Sequence, residues 1–309
     1  LNLGLRASAL AVDGTLHFSP QPRLLVRFFE KEKLSFSASA CRMSQFLHLL
    51  SPNSIGLPKD LWVSATRRVP PQHSWQFAGG IHRKLGNGIE ASVEGYYKTM
   101  RNLLNFSGSG LDSVDFQNWQ DLVSIGTGWA YGLEFLLKKE SGKFGGWLSY
   151  TLGWTERKFG TEINGGESFP HRLDRRHNLN LQLLYKLGKR WDFSSGFTYA
   201  SGSAFTFPSQ EYDFILPSGI ITHPLVIDEL NGFRLPAYHR LDFSVNYLFS
   251  QRKARHTLIL GVYNAYNRKN PFFVTLRNRF TDDNKIFKEP VQVSLLPIFP
   301  TLRYTIEFK

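Results

Sequence analysis

The stretch WAYGLEFLLK, residues 129–138, alternates between large apolar side chains and a second set that includes both of its charged residues. The apolar set consists of Trp129, Tyr131, Leu133, Phe135 and Leu137. The charged residues, Glu134 and Lys138, belong to the other set. Successive side chains of a β-strand point to opposite faces of the sheet, so the stretch predicts a strand with one apolar and one polar face.

The same alternation recurs along the chain. In IEASVEGYYK (89–98), RLDFSVNYLF (240–249) and LRYTIEFK (302–309) the charges also keep to one face, and LSFSASACRM (34–43) alternates apolar residues with serines. Long stretches with helical apolar spacing are missing, so nearly all ordered structure should be strand. We recognise about twelve segments of roughly ten residues. They begin near Leu1, Pro22, Leu34, Trp75, Ile89, Trp129, Phe144, Arg176, Trp191, His239, His256 and Ile298.

The connections between the segments alternate in length. The short polar turns are Glu30 to Lys33, Leu85 to Gly88, Lys139 to Lys143, Leu187 to Arg190 and Ser250 to Arg255. The long, irregular stretches are Gln45 to Ser74, Asn102 to Gly128, Thr155 to Arg175, Ser201 to Tyr238 and much of Asn264 to Pro297. Short connections on one side and long ones on the other are typical of an outer-membrane β-barrel. A soluble β-sandwich, the alternative for many short strands, does not explain this difference.

Composition narrows the class of protein further. The chain has 309 residues, a net charge of +12 and a single cysteine, Cys41, which cannot form an internal disulfide and is interpreted as a small filler in a strand. No apolar run reaches the length of about 18 residues that a spanning helix needs. The positive charge fits nucleic acid, anionic lipid headgroups or an anionic substrate. Because the basic residues are scattered through loops and turns, they favour phosphate-rich headgroups over nucleic acid.

The placement of charged and aromatic residues supports a membrane location. A lysine or arginine that faces lipid at the midplane costs about 2–4 kcal/mol, and the charges of these segments lie on the other face. Aromatic residues gather beside the short turns, as in an interfacial girdle. They are Phe28, Phe29, Phe144, Tyr185, Trp191, Tyr247, Phe249 and Phe308. The sequence therefore predicts an all-β, transmembrane antiparallel β-barrel segment in a bacterial outer membrane.

Candidate ligand-contacting residues lie in or beside the long loops, which would meet a substrate first. These residues are Trp62, Arg67, Arg68, Trp75, Trp119, Arg172, Asp174, Arg175 and Arg176. In HRLDRRH (171–177), guanidinium groups suit an anionic ligand or a lipopolysaccharide phosphate, although an ion-pair network that braces the barrel rim is the favoured interpretation. The tryptophans around 62–75 suit stacking on a sugar or flat chelate, or else packing of the loops and an outer girdle.

An enzyme is the competing class, since histidines such as His48, His73, His171 and His177 are available. No nucleophile signature such as G-x-S-x-G is present, and Cys41 has no neighbours at metal-ligand spacing. We therefore expect no catalytic site, no metal site and no cofactor.

Several phrases, taken together and in order, resemble the carboxy-terminal barrel of TonB-dependent outer-membrane receptors, particularly those of Bacteroidetes-type bacteria. The likeness extends over nearly the whole chain. The phrases are QPRLLVRF (21–28), CRMSQFLHLL (41–50), GLEFLLKKESGKFGGWLSYTLGWTERKF (132–159), INGGESFPHRLDRRHNLNL (163–181), YASGSAFTFP (199–208) and VYNAYNRKNPFFV (262–274).

The resemblance implies a 22-stranded barrel closed by an amino-terminal plug, which imports a scarce small-molecule or oligomeric nutrient with energy passed through TonB and can have a surface lipoprotein as partner. On this interpretation residues 1–309 form about half of the barrel, and the plug, the TonB box and the other strands precede Leu1. The alternative is a small passive pore or adhesin-like barrel without energy coupling.

Overall fold

The structure is a computed structural model. It describes residues 1–30, 33–51, 60–107, 119–208, 210–211, 214–215, 221–222, 225–227, 229–251, 254–280 and 286–308. The predicted turns at 30–33 and 250–255 and several of the predicted long loops therefore lie partly outside the described residues.

Strands dominate the described chain. In order they are β1 (Asn2–Val12), β2 (Thr15–Glu30), β3 (Leu34–Gln45), β4 (Leu47–Leu50), β5 (Leu61–Ser64), β6 (Gln72–Gly86), β7 (Ile89–Phe106), β8 (Val123–Lys139), β9 (Phe144–Lys158), β10 (Phe169–Pro170), β11 (His177–Leu187), β12 (Trp191–Ala200), β13 (Ala204–Phe205), β14 (Gln210–Glu211), β15 (Phe214–Ile215), β16 (Ile221–Thr222), β17 (Leu225–Val226), β18 (Phe233–Arg234), β19 (Tyr238–Gln251), β20 (Ala254–Tyr263), β21 (Pro271–Phe280), β22 (Ile286–Ser294) and β23 (Phe299–Phe308). Two short 3-10 helices occupy Trp119–Leu122 and Asn164–Gly166. Within the described ranges, no helix has both the length and the apolarity to cross a bilayer.

Twelve of these strands form one antiparallel sheet in the order β1-β2-β3-β6-β7-β8-β9-β11-β12-β19-β20-β23, and β10 adds to β9. Each strand of this sheet pairs with the members of the sheet that precede and follow it in the chain, so the sheet is an up-and-down meander. The predicted all-β antiparallel fold is confirmed, and each of the twelve predicted segments corresponds to one of these strands.

The register sorts the side chains of the sheet into an apolar face, which we call the outer face, and a more polar face, which we call the inner face. One cross-strand row on the outer face runs through eight neighbouring strands. It consists of Phe28, Phe36, Ile81, Val93, Phe135, Tyr150, Leu179 and Tyr199. The next row toward the short turns lies on the inner face and consists of Ser35, His82, Ser92, Leu136, Ser149, Asn180 and Thr198. A contiguous apolar surface of this extent is one that lipid or protein covers in the native state.

The first hairpin corrects one predicted boundary. Val12 pairs with Thr15, so Asp13 and Gly14 alone form the turn, with φ values of 48° and 70°. Asp-Gly is a preferred sequence for such a two-residue turn, because both of its residues need positive φ. The second strand therefore begins at Thr15 and not near Pro22, and the first connection on the long-loop side is short.

The outer connections are more ordered than predicted. β21 and β22 form a hairpin within the stretch 264–297, and β4 pairs with β5 within 45–74. β7 and β8 remain paired out to Phe106 and Val123, beyond a register shift between Arg101 and Leu103. The prediction of irregular loops was wrong for these segments. β7 and β8 continue their pairing past the membrane-length segments of about ten residues, whereas β4 with β5 and β21 with β22 form separate two-stranded sheets.

Aromatic residues form a cross-strand cluster near the short turns, where the sequence predicted a girdle. The rings of Trp191 and Tyr247 lie 4.4 Å apart, and Phe249 stacks on His256 at 4.9 Å. Tyr304 of β23 lies 6.4 Å from Phe249. The cluster therefore joins four neighbouring strands, β12, β19, β20 and β23, through side chains as well as through the backbone.

A lysine placed on the outer face should impair assembly far more than one placed on the inner face. Phe135 and Leu136 are successive residues of β8 with the same exposure of 40%, and only the face differs. In the membrane location that the sequence predicts, Phe135→Lys would face lipid, at a cost of about 2–4 kcal/mol near the midplane. We expect a marked loss of heat-modifiable, folded protein from outer-membrane fractions for Phe135→Lys and a small loss for Leu136→Lys. Equal losses would contradict the face assignment.

Candidate functional site

We call the strand ends opposite the short turns, together with the loops that join them, the outer rim. Asp174 belongs to the outer rim, and its side chain is only 1% exposed. Its carboxylate accepts hydrogen bonds from the backbone N–H of Thr155 at 2.7 Å, from Nε of Arg176 at 3.0 Å and from Nη2 of Arg234. Arg234 also donates to the Asp174 carbonyl oxygen at 2.6 Å. Asp174 therefore joins β9, the loop before β11, and β18.

This arrangement has the features of the ion-pair network that the sequence favoured for HRLDRRH. A buried carboxylate needs both charge partners and hydrogen bonds, and Asp174 has both. The guanidinium of Arg176 also lies 5.4 Å from the ring centre of Trp154, a favourable cation–π distance. Arg234 was not among the predicted residues, and its separation of 60 residues from Asp174 along the chain leaves no local signal for the pair.

Two further ion pairs connect the outer loops. Arg172 donates to Asp60 at 2.8 Å, and Ser51 donates to the other carboxylate oxygen of Asp60 at 2.8 Å. Burial alone would raise the pKa of Asp60, but the hydrogen bonds from Arg172 and Ser51 and the charge of Arg172 bring it below the usual value. Arg68 pairs with Asp121 in an exposed position.

The predicted residues are not brought together into one site. Trp119 packs against the buried cluster of Leu50, Val63, Val69, Leu104 and Phe106. Trp62 is exposed on β5, and Trp75 lies on the outer face of β6, where it stacks on Phe77 at 6.3 Å. Arg67 is exposed in the loop after β5. Only Arg172 and Arg175 among the nine line the cavity described next.

A cavity of about 300 Å³ opens at the outer rim between β9, β10 and the neighbouring loops. Four nitrogen-rich side chains line it, those of Arg157, His171, Arg172 and Arg175. Phenylalanines form the apolar part of the wall, and these are Phe169, Phe205, Phe272 and Phe273. Within the described part of the chain, no carboxylate lines the cavity.

Arg157 is the exceptional residue of this cavity. Its Nε atom is buried and has no hydrogen-bond partner among the residues that the structure describes. Burial lowers the pKa of the neighbouring His171 to about 3, and the charges of Arg157 and Arg172 act in the same direction. The imidazole is therefore neutral at physiological pH, and the positive charge of the wall resides on the guanidinium groups. Such a wall offers unsatisfied donors to an acceptor group.

The described ranges contain no cluster of three or more His, Cys, Asp or Glu side chains suited to a metal ion. They therefore give no support to a metal site. Cys41 is half-buried in β3.

Comparison with known proteins yields a family model and a group of solved structures. A model described as "TonB dependent receptor-like, beta-barrel" matches residues 37–265. The unliganded ferric citrate transporter FecA has a TM-score of 0.52 at 15% identity, over 94% of this chain and 38% of that chain. The FrpB iron transporter from Neisseria meningitidis has a TM-score of 0.51 at 13% identity, over 95% of this chain and 39% of that chain. The siderophore receptor PirA from Acinetobacter baumannii has a TM-score of 0.50 at 14% identity, over 81% of this chain and 37% of that chain.

At these identities the likeness to the solved structures concerns the fold alone. The chain spans less than two-fifths of the length of each of the three. No curated protein matches the chain.

Loss of the Asp174 charge should loosen the outer rim. Asp174→Asn preserves the side-chain volume but leaves Arg176 and Arg234 without their counter-charge, at a cost on the order of 3 kcal/mol for a buried pair. We expect a lower melting temperature and faster proteolysis of the segment 159–176. Asp121→Asn is the matched control, since it removes the exposed partner of Arg68 and exposed pairs contribute little. If the two variants lost the same stability, the bracing role of Asp174 would be wrong.

Proposed function

Since the chain belongs to the TonB-dependent receptor-like β-barrel family, we propose that it forms part of an outer-membrane receptor that imports a nutrient with energy delivered through TonB. The observation that carries the proposal is the family match over residues 37–265. The meander of twelve strands, with its apolar outer face and structured outer loops, supports it. In this function the sheet is the wall of the passage and the outer rim is the receptor surface.

The nutrient is a small molecule or an oligomer, and a metal chelate is one candidate class. The solved structures that share the fold are described as a ferric citrate transporter, an iron transporter and a siderophore receptor. Those substrates belong to those proteins, and glycans and peptides are also candidates for this chain. The structures are named as transporters and receptors, which supports a binding and transport role without catalysis. The phrases at 132–159 and 163–181 support a Bacteroidetes-type receptor.

The partners follow from the same proposal. The described sheet ends at β1 and β23, and backbone groups at a strand edge have no partner in lipid. We propose that residues 1–309 belong entirely to the barrel, that further strands of the same protein complete it, and that a plug provides the contact with TonB. Outer-membrane lipid would cover the apolar face, lipopolysaccharide would meet the basic loops, and a surface lipoprotein is a further proposed partner.

Six of the nine predicted contact residues have a role in this proposal, and they fall into three groups. Arg172 and Arg175 face the cavity of the outer rim and are proposed to contact the nutrient. Trp62 and Arg67 are exposed and are proposed to meet it earlier, at the surface. Asp174, with Arg176, acts through the bracing network.

Deletion of the gene should abolish uptake of at least one nutrient, and deletion of TonB should have the same effect. The measurement is uptake of a panel of labelled ferric chelates, cobalamin, peptides and oligosaccharides by the parent and the two deletion strains. Complementation of the gene deletion should restore the uptake. Uptake unchanged by both deletions would refute the transporter, and uptake that needs the gene but not TonB would support the passive pore.

A further inference from the structure

Three carboxylates pair with arginines of the outer rim, but in the described ranges none pairs with Arg157, which lines the cavity. Asp174 balances Arg176 and Arg234, Asp121 balances Arg68, and Asp60 balances Arg172. Arg157 lies on the inner face of β9, in line with Thr151 and Thr155, and lines the cavity. Its buried Nε has no acceptor in the ranges that the structure describes.

A buried guanidinium with an unpaired N–H is costly, because the group has lost its water without gaining a protein acceptor. Arg157 is also close enough to Arg172 for the two charges to lower the pKa of the same histidine, His171. Asp60 offsets the charge of Arg172, but Arg157 has no carboxylate partner among the described residues, and an anion in the cavity would offset its charge. The cavity wall is therefore arranged for an anion that the chain itself does not supply.

The remainder of the wall limits the kind of anion. Phe205, Phe272 and Phe273 give the cavity an apolar side, and the rings of Phe272 and Phe273 lie 5.6 Å apart in an edge-to-face arrangement. The volume of about 300 Å³ lies at the lower end of small-molecule pockets. It accepts a small organic molecule and leaves apolar surface to bury once the anionic group is paired.

We propose that this cavity binds a small organic anion, with its charged group against Arg157, Arg172 and Arg175 and its apolar body against the phenylalanines. Arg157 is the principal donor, because among the described residues it is the charged side chain of the wall with a buried, unpaired N–H, and the unpaired Nδ2 of Asn105 is a second, neutral donor. Arg175 is exposed at the mouth of the cavity and would make the first contact. The inference rests on the proposed function in one respect only, namely that the anion is the imported nutrient or a part of it.

Binding of simple probes to the purified full-length protein in detergent micelles tests the proposal. Benzoate carries a carboxylate on an apolar ring, benzamide is its neutral analogue, and inorganic phosphate is an anion without an apolar body. We expect benzoate to bind. Benzamide should bind at least about tenfold more weakly, because it cannot form the charge-assisted hydrogen bond. Phosphate should also bind more weakly than benzoate. Equal binding of benzoate and benzamide, tighter binding of phosphate, or no binding of benzoate would overturn the proposal.

Variants locate the site. Arg157→Gln should weaken benzoate binding about tenfold or more, and Arg175→Ala should weaken it several-fold. Arg190→Ala, an exposed arginine of the short turn between β11 and β12 that lies outside the cavity, is the matched control and should leave binding unchanged. If Arg157→Gln does not fold, Arg175→Ala decides, because its side chain is exposed and its loss leaves no buried gap. Unchanged binding by Arg175→Ala, or an equal loss with Arg190→Ala, would contradict the site.

The outcome can be separated from that of the proposed function. Benzoate binding that depends on Arg157, in a protein without TonB-dependent uptake, would leave the anion site standing and refute the transporter. TonB-dependent uptake by a protein that binds none of the three probes would leave the transporter standing and refute the anion site.

Discussion

The cross-strand register is the constraint on which the rest of this structure depends. Because side chains alternate with a period of two, a slip by one residue between β3 and β6 would move Phe36 and Ile81 to opposite faces. Each further strand repeats the same requirement against its predecessor. The backbone hydrogen bonds of the sheet and the apolar row on its outer face therefore require the same register. That register also sets the strand ends, and the strand ends set the positions of the loops at the outer rim.

The outer rim gains order from strands that continue past the membrane-length segments. β7 and β8 stay paired beyond the register shift at Arg101 and Leu103, where Asn102 adopts a φ of 59°. The extension carries Leu104 and Phe106 into the buried cluster that holds the neighbouring loops. Loops anchored in this way are braced by the apolar core, and Leu104 and Asn105 also line the cavity.

The sequence predicted the twelve strands of the sheet and the alternation of the clearly patterned segments, because period-two patterning is a local property, but it placed the start of β8 and the end of β9 several residues too far inside those strands. It failed at β2, where Pro20 and Pro22 lie inside the strand. Residues 15–22 pair with β1 alone in the described sheet, since pairing of β2 with β3 begins at Arg23. The Pro20 carbonyl points away from β1 and accepts a hydrogen bond from the Arg42 guanidinium at 3.2 Å. A proline is tolerated where its missing N–H faces such an unpaired edge, and only the pairing reveals that edge.

The sequence did not identify two arginines of the outer rim, Arg234 and Arg157, and the reason differs from the one at β2. Arg234 meets Asp174 across loops that the sequence did not relate, and Arg157 stands in a stretch interpreted as loop although β9 continues to Lys158. Once β9 is extended, the parity that places Thr151 and Thr155 on the inner face places Arg157 there too. The two arginines then have different roles. Arg234 meets a carboxylate of the chain and holds the rim together, whereas Arg157 finds no acceptor among the described residues and leaves a donor for a molecule from outside.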